Sequence, residues 1–135
     1  MLDRLRISGR ARGHGLAEFA VTSLAMVGLV VGVADVALWL HAQNVVIAAA
    51  QEAAAVAARE GGTSEQAQRA AQDLLRAGLG AEAAGMEPVQ VTIDVDAVSA
   101  DVRGTWHVAL LGPLVPVPLH AQATLVREEF RPWGR

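Results

Sequence analysis

A long run of uncharged, apolar residues near the N-terminus limits what this chain can fold into. Sixteen residues without a charge separate Glu18 from Asp35, and the apolar segment extends over the twenty-five positions 16–40. As an α-helix this segment is about 37 Å long, whereas the hydrocarbon core of a bilayer is about 30 Å thick. The length predicts one membrane-spanning helix with some tilt. Trp39 and His41 follow where amphipathic rings meet the outer interface.

A cleaved secretory signal is the weaker interpretation of the same segment. Such signals have an apolar core of about 7–15 residues followed by a site with small residues. The core here is longer, contains Glu18 near its start, and has no well-placed small-x-small site before Asn44.

Charge is distributed unevenly along the chain. Residues 1–13 hold four arginines against Asp3, a balance of +3, whereas the segment from residue 44 onward holds seven arginines and eleven acids, a balance of −4. The positive-inside rule places the basic leader in the cytoplasm and the acidic remainder outside it. An acidic exported segment argues against nucleic-acid binding.

The absence of cysteine excludes a disulfide framework, a thiolate zinc site and lipidation at cysteine.

Helical character continues beyond the membrane segment. Residues 44–60 are rich in alanine and contain neither Gly nor Pro, so we expect one long helix over 14–60. Gly61-Gly62 ends it. Thr63 precedes Gln66 by three residues, which is the spacing of a capping box. A second helix follows, and its predicted apolar face comprises Ala67, Ala70, Ala71, Leu74 and Leu75.

The periodicity then changes from helical to alternating. Residues 89–96, 101–110 and 119–127 each alternate apolar and polar side chains, a pattern typical of half-buried strands. Gly112-Pro113 and the pair Pro116 and Pro118 are predicted to break the chain between the last two strands. The fold class expected is α+β: a long N-terminal transmembrane helix, a short second helix and a three-stranded antiparallel sheet.

A family resemblance rests on the residues at the start of the apolar segment. Gly13 is followed by Glu18 at the fifth position and then by an apolar helix, which resembles the processing site of type IV pilins. The pair Glu18-Phe19, together with residues 33–35 and 57–61, resembles the TadE/TadG branch. These are minor pilin-like proteins of the tight-adherence (Flp) pilus system.

The resemblance implies a maturation step and a role in assembly. A prepilin peptidase would cut between Gly13 and His14, removing the leader 1–13 on the cytoplasmic side. Glu18 would then lie one helical turn from the new α-amine of His14, and Glu18 with Phe19 would contact other pilin or pilin-like subunits and the assembly machinery. The helix 14–60, with its membrane part at about 16–40, would carry a small exported domain over 63–135. The implied role is structural, without catalytic residues or cofactors.

Simpler explanations exist for several of these residues. A carboxylate at a helix N-terminus is stabilised by the macrodipole, which accounts for Glu18 near the start but not for its spacing from Gly13. Gly28 and Gly32 form a G-x-x-x-G pattern that permits close helix approach, and ordinary glycine enrichment in membrane helices explains it about as well. Asp35 could be a buried polar contact to a partner helix, but a position near the outer interface is the simpler expectation.

The sequence offers no convincing catalytic or metal site. A calcium site at Asp94, Asp96 and Asp101 lacks the features of an EF-hand loop, so we expect these acids on a solvated face. The four histidines lack zinc-ligand spacing.

From the resemblance, the predicted function is a minor pilin or pseudopilin-like component of a tight-adherence pilus or related secretion apparatus. Two alternatives remain: an uncleaved single-pass protein with an extracytoplasmic ligand-binding or sensing domain, and, less favoured, a membrane-tethered enzyme.

Overall fold

The computed structural model describes residues 8–107 and 116–127, with side chains from residue 15 onward. In chain order the elements are α1 (Ser8–Ala58), α2 (Ser64–Leu79), a 3₁₀ helix (Gly80–Gly85), β1 (Gln90–Ile93), β2 (Ala97–His107) and β3 (Pro116–Val126). The predicted α+β class, with a long first helix, a short second helix and three antiparallel strands, is confirmed. The chain divides into two compact units, residues 1–36 and 37–135.

The N-terminal unit contains the first part of α1, and over residues 19–34 apolar side chains lie on every side of the helix. Large hydrophobic residues stay exposed throughout, from Leu16 and Phe19 to Val33 and Val36. A helix that is hydrophobic all round requires an apolar environment, in a protein core or in a membrane. Within the described residues, Gly15–Ala58 is the one helix long and apolar enough to cross a membrane, with a mean hydropathy of 2.1 over its most apolar window.

The C-terminal unit is built on an alanine-rich face of α1. This face includes Ala42, Val46, Ala49, Ala53 and Ala57, all fully buried and spaced by three or four residues. Such spacing places them along one stripe of the helix. Because alanine side chains are short, the neighbouring backbones approach α1 closely. The remaining core residues come from α2 (Ala67, Ala71, Leu75), from the segment before β1 (Val89), and from β2 and β3 (Val98, Ala100, Val102, Leu119, Ala121).

The connection between the two helices has the turn and the helix cap that its sequence predicts. Gly61 adopts a positive φ of 74°, a conformation that glycine reaches at little cost, and the Gly62 amide donates to the carbonyl of Arg59 at 2.9 Å. Thr63 then caps α2, since its hydroxyl accepts from the Gln66 amide at 3.3 Å. The N-cap at Thr63, one half of the predicted capping box, is confirmed. Of the predicted apolar face, α2 buries Ala67, Ala71 and Leu75, while Ala70 and Leu74 are half-buried.

The three strands form a sheet in the order β1-β2-β3, and both pairings are antiparallel. Two predicted boundaries were wrong. β2 begins at Ala97 rather than at residue 101, and Pro116 and Pro118 lie inside β3 rather than between strands. Proline is tolerated there because β3 is an edge strand, where a missing N–H on the outer side breaks no ladder bond. The predicted end of β2 at 108–110 and the Gly112-Pro113 break lie outside the described residues.

Candidate functional site

The predicted processing site lies within the first turns of α1. This helix begins at Ser8, so the Gly13–His14 peptide bond has helical backbone on both sides. The side chain of His14 lies outside the described residues, whose surroundings are given from residue 15 onward. Gly15, two residues beyond this bond, has open space around it, since a Cβ built there meets nothing within 4 Å.

Glu18 and Phe19 lie on exposed positions of α1. The ring of Phe19 is 71% exposed, and within the described part of the chain Glu18 makes no ion pair. The Thr22 hydroxyl donates to the backbone carbonyl of Glu18 at 2.9 Å. This bond back to the preceding turn satisfies a hydroxyl in an otherwise apolar helix. The Glu18 carboxylate therefore remains open to a group outside the described residues.

Gly28 and Gly32 lie one turn apart on α1, as their spacing predicts. A Cβ built on either residue meets nothing within 4 Å. With Leu29, Val33 and Val36 they line a shallow groove of about 370 Å³. Its lining is apolar, so the groove can accept a ridge of another apolar helix but offers no polar ligand group. Its shape fits the close helix approach that G-x-x-x-G sequences permit.

Asp35 differs from its neighbours on α1. It is 8% exposed, whereas the adjacent Val36 is 57% exposed. The sequence favours a position of Asp35 near the outer membrane interface over a buried polar contact with a partner helix, whereas the structure buries this side chain. A buried carboxylate costs free energy unless it is hydrogen-bonded or paired.

A polar cluster on the sheet was missed in the sequence. Arg103 donates to Asp101 through Nε at 2.8 Å and through a terminal nitrogen at 3.0 Å, and a ring nitrogen of His120 lies 3.3 Å from the same carboxylate. The antiparallel register produces this cluster, because Arg103 pairs with His120 across β2 and β3. A side chain two residues away on a strand lies on the same face.

The cluster corrects one expectation for the three aspartates. Asp94 and Asp96 are exposed at the turn between β1 and β2, whereas Asp101 is partly buried and paired. The Arg103 hydrogen bonds, aided by His120, hold the pKa of Asp101 below its usual range, and the pKa of Arg103 is raised by the same carboxylate. Within the described residues, no group of three or more His, Asp or Glu side chains is arranged to hold a metal ion.

A second groove, of about 470 Å³, lies between the C-terminal half of α2 and the segment that follows it. Leu75, Ala83 and Met86 provide apolar walls, and Arg76 and Glu87 stand among its lining residues. Its volume is within the range of small-molecule pockets. The groove contains no nucleophile–base pair that would indicate catalysis.

One segment of the chain is similar to a known family. The family model described as TadE-like protein matches residues 13–55. The predicted resemblance is confirmed over this segment, which begins at Gly13 and contains all six residues predicted for processing, assembly and helix packing: Gly13, His14, Glu18, Phe19, Gly28 and Gly32.

The TadE-like segment, residues 13–55, covers most of α1 and ends before α2. The polar cluster on the sheet and the groove beside α2 lie outside it. No curated protein and no solved structure matches the chain. The match therefore bears on the helix, while the sheet has to be interpreted from its own geometry.

Proposed function

We propose that this chain is a pilin-like structural component of a tight-adherence pilus or related secretion apparatus, held in the cytoplasmic membrane by α1. The single observation that carries the proposal is the match of residues 13–55 to the TadE-like family. The exposed apolar surface of the N-terminal unit supports it, because such a surface needs lipid or other apolar helices around it. The role is structural, and no residue is assigned catalytic work.

Maturation is the first step of the proposed function. A prepilin peptidase cuts between Gly13 and His14 and removes the basic leader on the cytoplasmic side. The +3 balance of residues 1–13 favours this orientation, and the C-terminal unit is then extracytoplasmic. In the described chain the Gly13–His14 bond lies inside α1, so the first turns of the helix open before the bond enters a peptidase active site.

Removal of the leader creates a partner for Glu18, which makes no ion pair within the described residues. The α-amine of His14 lies four residues before Glu18, and groups at this spacing face each other on a helix. A carboxylate in the centre of a membrane helix costs on the order of 2.5–3.5 kcal/mol, and less near an end. Because opposite charges attract more strongly in low dielectric, an amine of the same chain or of a neighbouring subunit offsets that cost.

Helix packing is the second requirement of assembly. The groove at Gly28 and Gly32 allows another apolar helix to approach the backbone of α1 closely. Phe19, exposed one position after the acid, adds an apolar contact at the cytoplasmic end of the same helix. Together these residues define the surface of α1 that we assign to other pilin or pilin-like subunits.

Replacing the residue before the scissile bond tests this function in cells that contain the pilus machinery. Gly13→Ala is expected to block maturation, seen as a slower-migrating band and a loss of piliation or secretion. Gly15→Ala is the matched control, because a Cβ at Gly15 meets no neighbour and the position lies beyond the cut. Unchanged processing of Gly13→Ala would refute the assigned site, and equal effects of both substitutions would indicate a general disturbance of the helix.

The alternative of an uncleaved anchor with a ligand-binding domain has one favourable observation, the groove of about 470 Å³ beside α2. In that case the leader stays on the chain and the groove governs activity. Gly13→Ala would then leave function intact, whereas Ala83→Trp, which fills the groove, would abolish it. The proposed pilin role predicts the reverse order of effects.

A further inference from the structure

The described sheet has two outer edges, and the direction of the backbone groups follows from hydrogen bonds near each of them. In an antiparallel strand the N–H and C=O of one residue point to the same side, and successive residues alternate. Arg127 donates its N–H to the carbonyl of Asp96, so the odd-numbered positions of β3 face β2. The carbonyl of His120 accepts instead from the Gln43 amide of α1. The even-numbered residues of β3 therefore point their backbone groups away from β2.

The first half of this β3 edge is protected, whereas the second half is not. Pro116 and Pro118 have no N–H to offer on the outer side, and the next outward carbonyl is bonded to α1. Residues 122–126 contain neither proline nor charge, and within the described residues their outward backbone groups make no hydrogen bond. Val126 is 77% exposed there. Native proteins usually block such an edge with charges, proline or a covering segment.

β1 forms the other edge of the sheet. Asp94 donates its N–H to the carbonyl of Ala97 at 2.9 Å, so the even-numbered positions of β1 face β2. The backbone groups of Val91 and Ile93 point outward, and in the described part of the chain they make no hydrogen bond either. The side chains of these two residues pack against the core. Like residues 122–126, this strand carries no charge.

The two edges match when β1 of one copy is placed beside β3 of another. Both strands are antiparallel to β2, so they run in the same direction, and a copy shifted sideways presents its β1 parallel to β3. Across the sheet, Thr92 lies in one row with Thr124, and Gln90 lies in one row with Gln122. Continuing these rows into a second copy brings Thr92 beside Thr124 and Gln90 beside Gln122.

The same register also joins apolar side chains on the core face of the sheet. Val91 of one copy lies beside Ala123 of the other, and Ile93 lies beside Leu125, which is 41% exposed in the single chain. In parallel pairing, a residue whose backbone faces its neighbour bonds to the residues before and after its partner. The outward groups of Val91 and Ile93 therefore find partners among those of residues 122–126.

We propose that a second copy of this chain docks its β1, in parallel, on residues 122–126 of β3 and so extends the sheet from one copy to the next. The pairing is head-to-tail, so it leaves a free edge at each end and can repeat. Every element keeps its direction from copy to copy, as copies anchored in one membrane require, and this choice of direction rests on the proposed membrane role of α1. Because the contact is only a few residues long, it is smaller than the roughly 800 Å² per partner of a standard interface, and we expect association at high concentration.

Cross-linking between single-cysteine chains tests this pairing, since the chain contains no cysteine. Full-length Thr92→Cys and Thr124→Cys chains, produced in cells without the pilus machinery, are mixed at high concentration in detergent and treated with a short bismaleimide. Neighbouring strands lie about 4.8 Å apart, so we expect a covalent dimer in the mixture and little in either chain alone. Absence of the mixed dimer overturns the proposal. Thr124→Cys that cross-links to itself as efficiently as to Thr92→Cys also overturns it, because it indicates symmetric pairing of β3 with β3.

A cysteine on α2 controls for random collisions. Glu65 is exposed on that helix, and Glu65→Cys mixed with Thr124→Cys is expected to give far less dimer than Thr92→Cys does. Equal yields from the two mixtures overturn the assignment of β1 as the docking strand.

Removing one outward donor gives a second test. Gln90→Cys and Gln122→Cys are the other neighbouring pair, and adding Thr124→Pro to the Gln122→Cys chain is expected to lower their cross-linking to the level of the Glu65→Cys control. The N–H of Thr124 points away from β2, so proline is tolerated there as at Pro116 and Pro118, and the circular dichroism spectrum is expected to stay unchanged. Undiminished cross-linking contradicts the proposal. Since no peptidase takes part, failure of this pairing leaves the proposed cut after Gly13 standing, and an uncleaved chain in cells leaves the pairing standing.

Discussion

Val45 of α1 lies directly against Gly78 of α2. A Cβ built on Gly78 would lie 2.6 Å from Cγ1 and 2.7 Å from Cγ2 of Val45. Such distances are far below ordinary van der Waals contact, which is about 3.5–4.0 Å between carbon atoms. The two helices therefore touch at a position where only glycine fits, and this contact sets how closely α2 packs on the alanine-rich face of α1.

Gly78→Ala is expected to destabilise the C-terminal unit by roughly 1–2 kcal/mol. Overpacking a core contact costs about 1–3 kcal/mol, whereas alanine in place of glycine gains up to about 1 kcal/mol of helix propensity. The cost of the clash exceeds the gain in helix propensity because Val45 is β-branched and cannot rotate away freely. Urea unfolding in detergent, followed by circular dichroism, measures the change.

The matched control for this substitution is the double variant Val45→Ala with Gly78→Ala. It removes the two methyl groups that the new Cβ would meet, so the penalty of Gly78→Ala should be smaller in the Val45→Ala background than in the wild type. If Gly78→Ala raises the midpoint of unfolding in the wild type, the close contact does not exist in solution.

Loss of the α2 cap should be measurable on its own. Thr63→Ala removes the hydroxyl that accepts from the Gln66 amide, and loss of such a cap typically costs about 1 kcal/mol. Thr63→Ser retains an oxygen at this position and should stay close to wild type. Equal stability of the alanine and serine variants in urea unfolding would show that the hydroxyl contributes nothing.

The polar cluster makes stability depend on pH in a defined direction. The pKa of Asp101 is lowered in the fold by Arg103 and then by His120, so the carboxylate stabilises the folded state above its unfolded pKa of about 3.9. That contribution is lost as the pH falls below about 4 and passes through the lower pKa that Asp101 has in the folded state. Because Arg103 is exposed, we expect the Asp101 carboxylate to add only roughly 0.2–1 kcal/mol to the free energy of unfolding at neutral pH.

Asp101→Asn isolates this contribution from that of the other acids. The difference in unfolding free energy between wild type and variant should be present at pH 7 and should shrink toward zero in acid. Glu65→Gln, which alters an exposed ion pair with Arg69 on α2, is the control and should show a smaller difference. A gap between wild type and Asp101→Asn that widens in acid would contradict the assigned pairing.

A substitution at Glu18 should impair assembly without preventing cleavage. Glu18→Ala is expected to leave removal of residues 1–13 largely intact, because the scissile bond is five residues away, but to impair piliation or secretion since the α-amine loses its partner. Band migration reports cleavage, and counts of pili by electron microscopy report assembly. Glu52→Ala provides an acid-to-alanine control further along the same helix. Normal piliation with Glu18→Ala would disprove the charge pairing.

The elements of this fold could be predicted from the sequence because each has a local signal. The apolar run predicts α1, Gly61-Gly62 and Thr63 mark the helix boundary, and the change from helical to alternating periodicity predicts the sheet. The predicted chain break at Pro116 and Pro118 is wrong, because both prolines lie within β3. Whether a proline disrupts a strand depends on whether that strand is at the edge of the sheet, and this position is a property of the assembled sheet.

The contacts between elements had no local signal. Asp101, Arg103 and His120 meet because the register pairs Arg103 with His120, and alternation within each strand does not specify register between strands. The close approach of Val45 to Gly78 likewise depends on the rotation of two helices. The processing role of Gly13 and Glu18 stays a prediction, which rests on their spacing together with the arginine-rich leader before them and the apolar run after them; the family match covers both positions.

We propose that a peptidase converts this chain into a pilin-like subunit by cutting after Gly13. The direct test is an intact mass measurement of the protein extracted from membranes of cells with the pilus machinery. We expect a mass lacking residues 1–13 and an N-terminal sequence that begins at His14. A chain that still carries Met1 and the arginine-rich leader in those cells would contradict it.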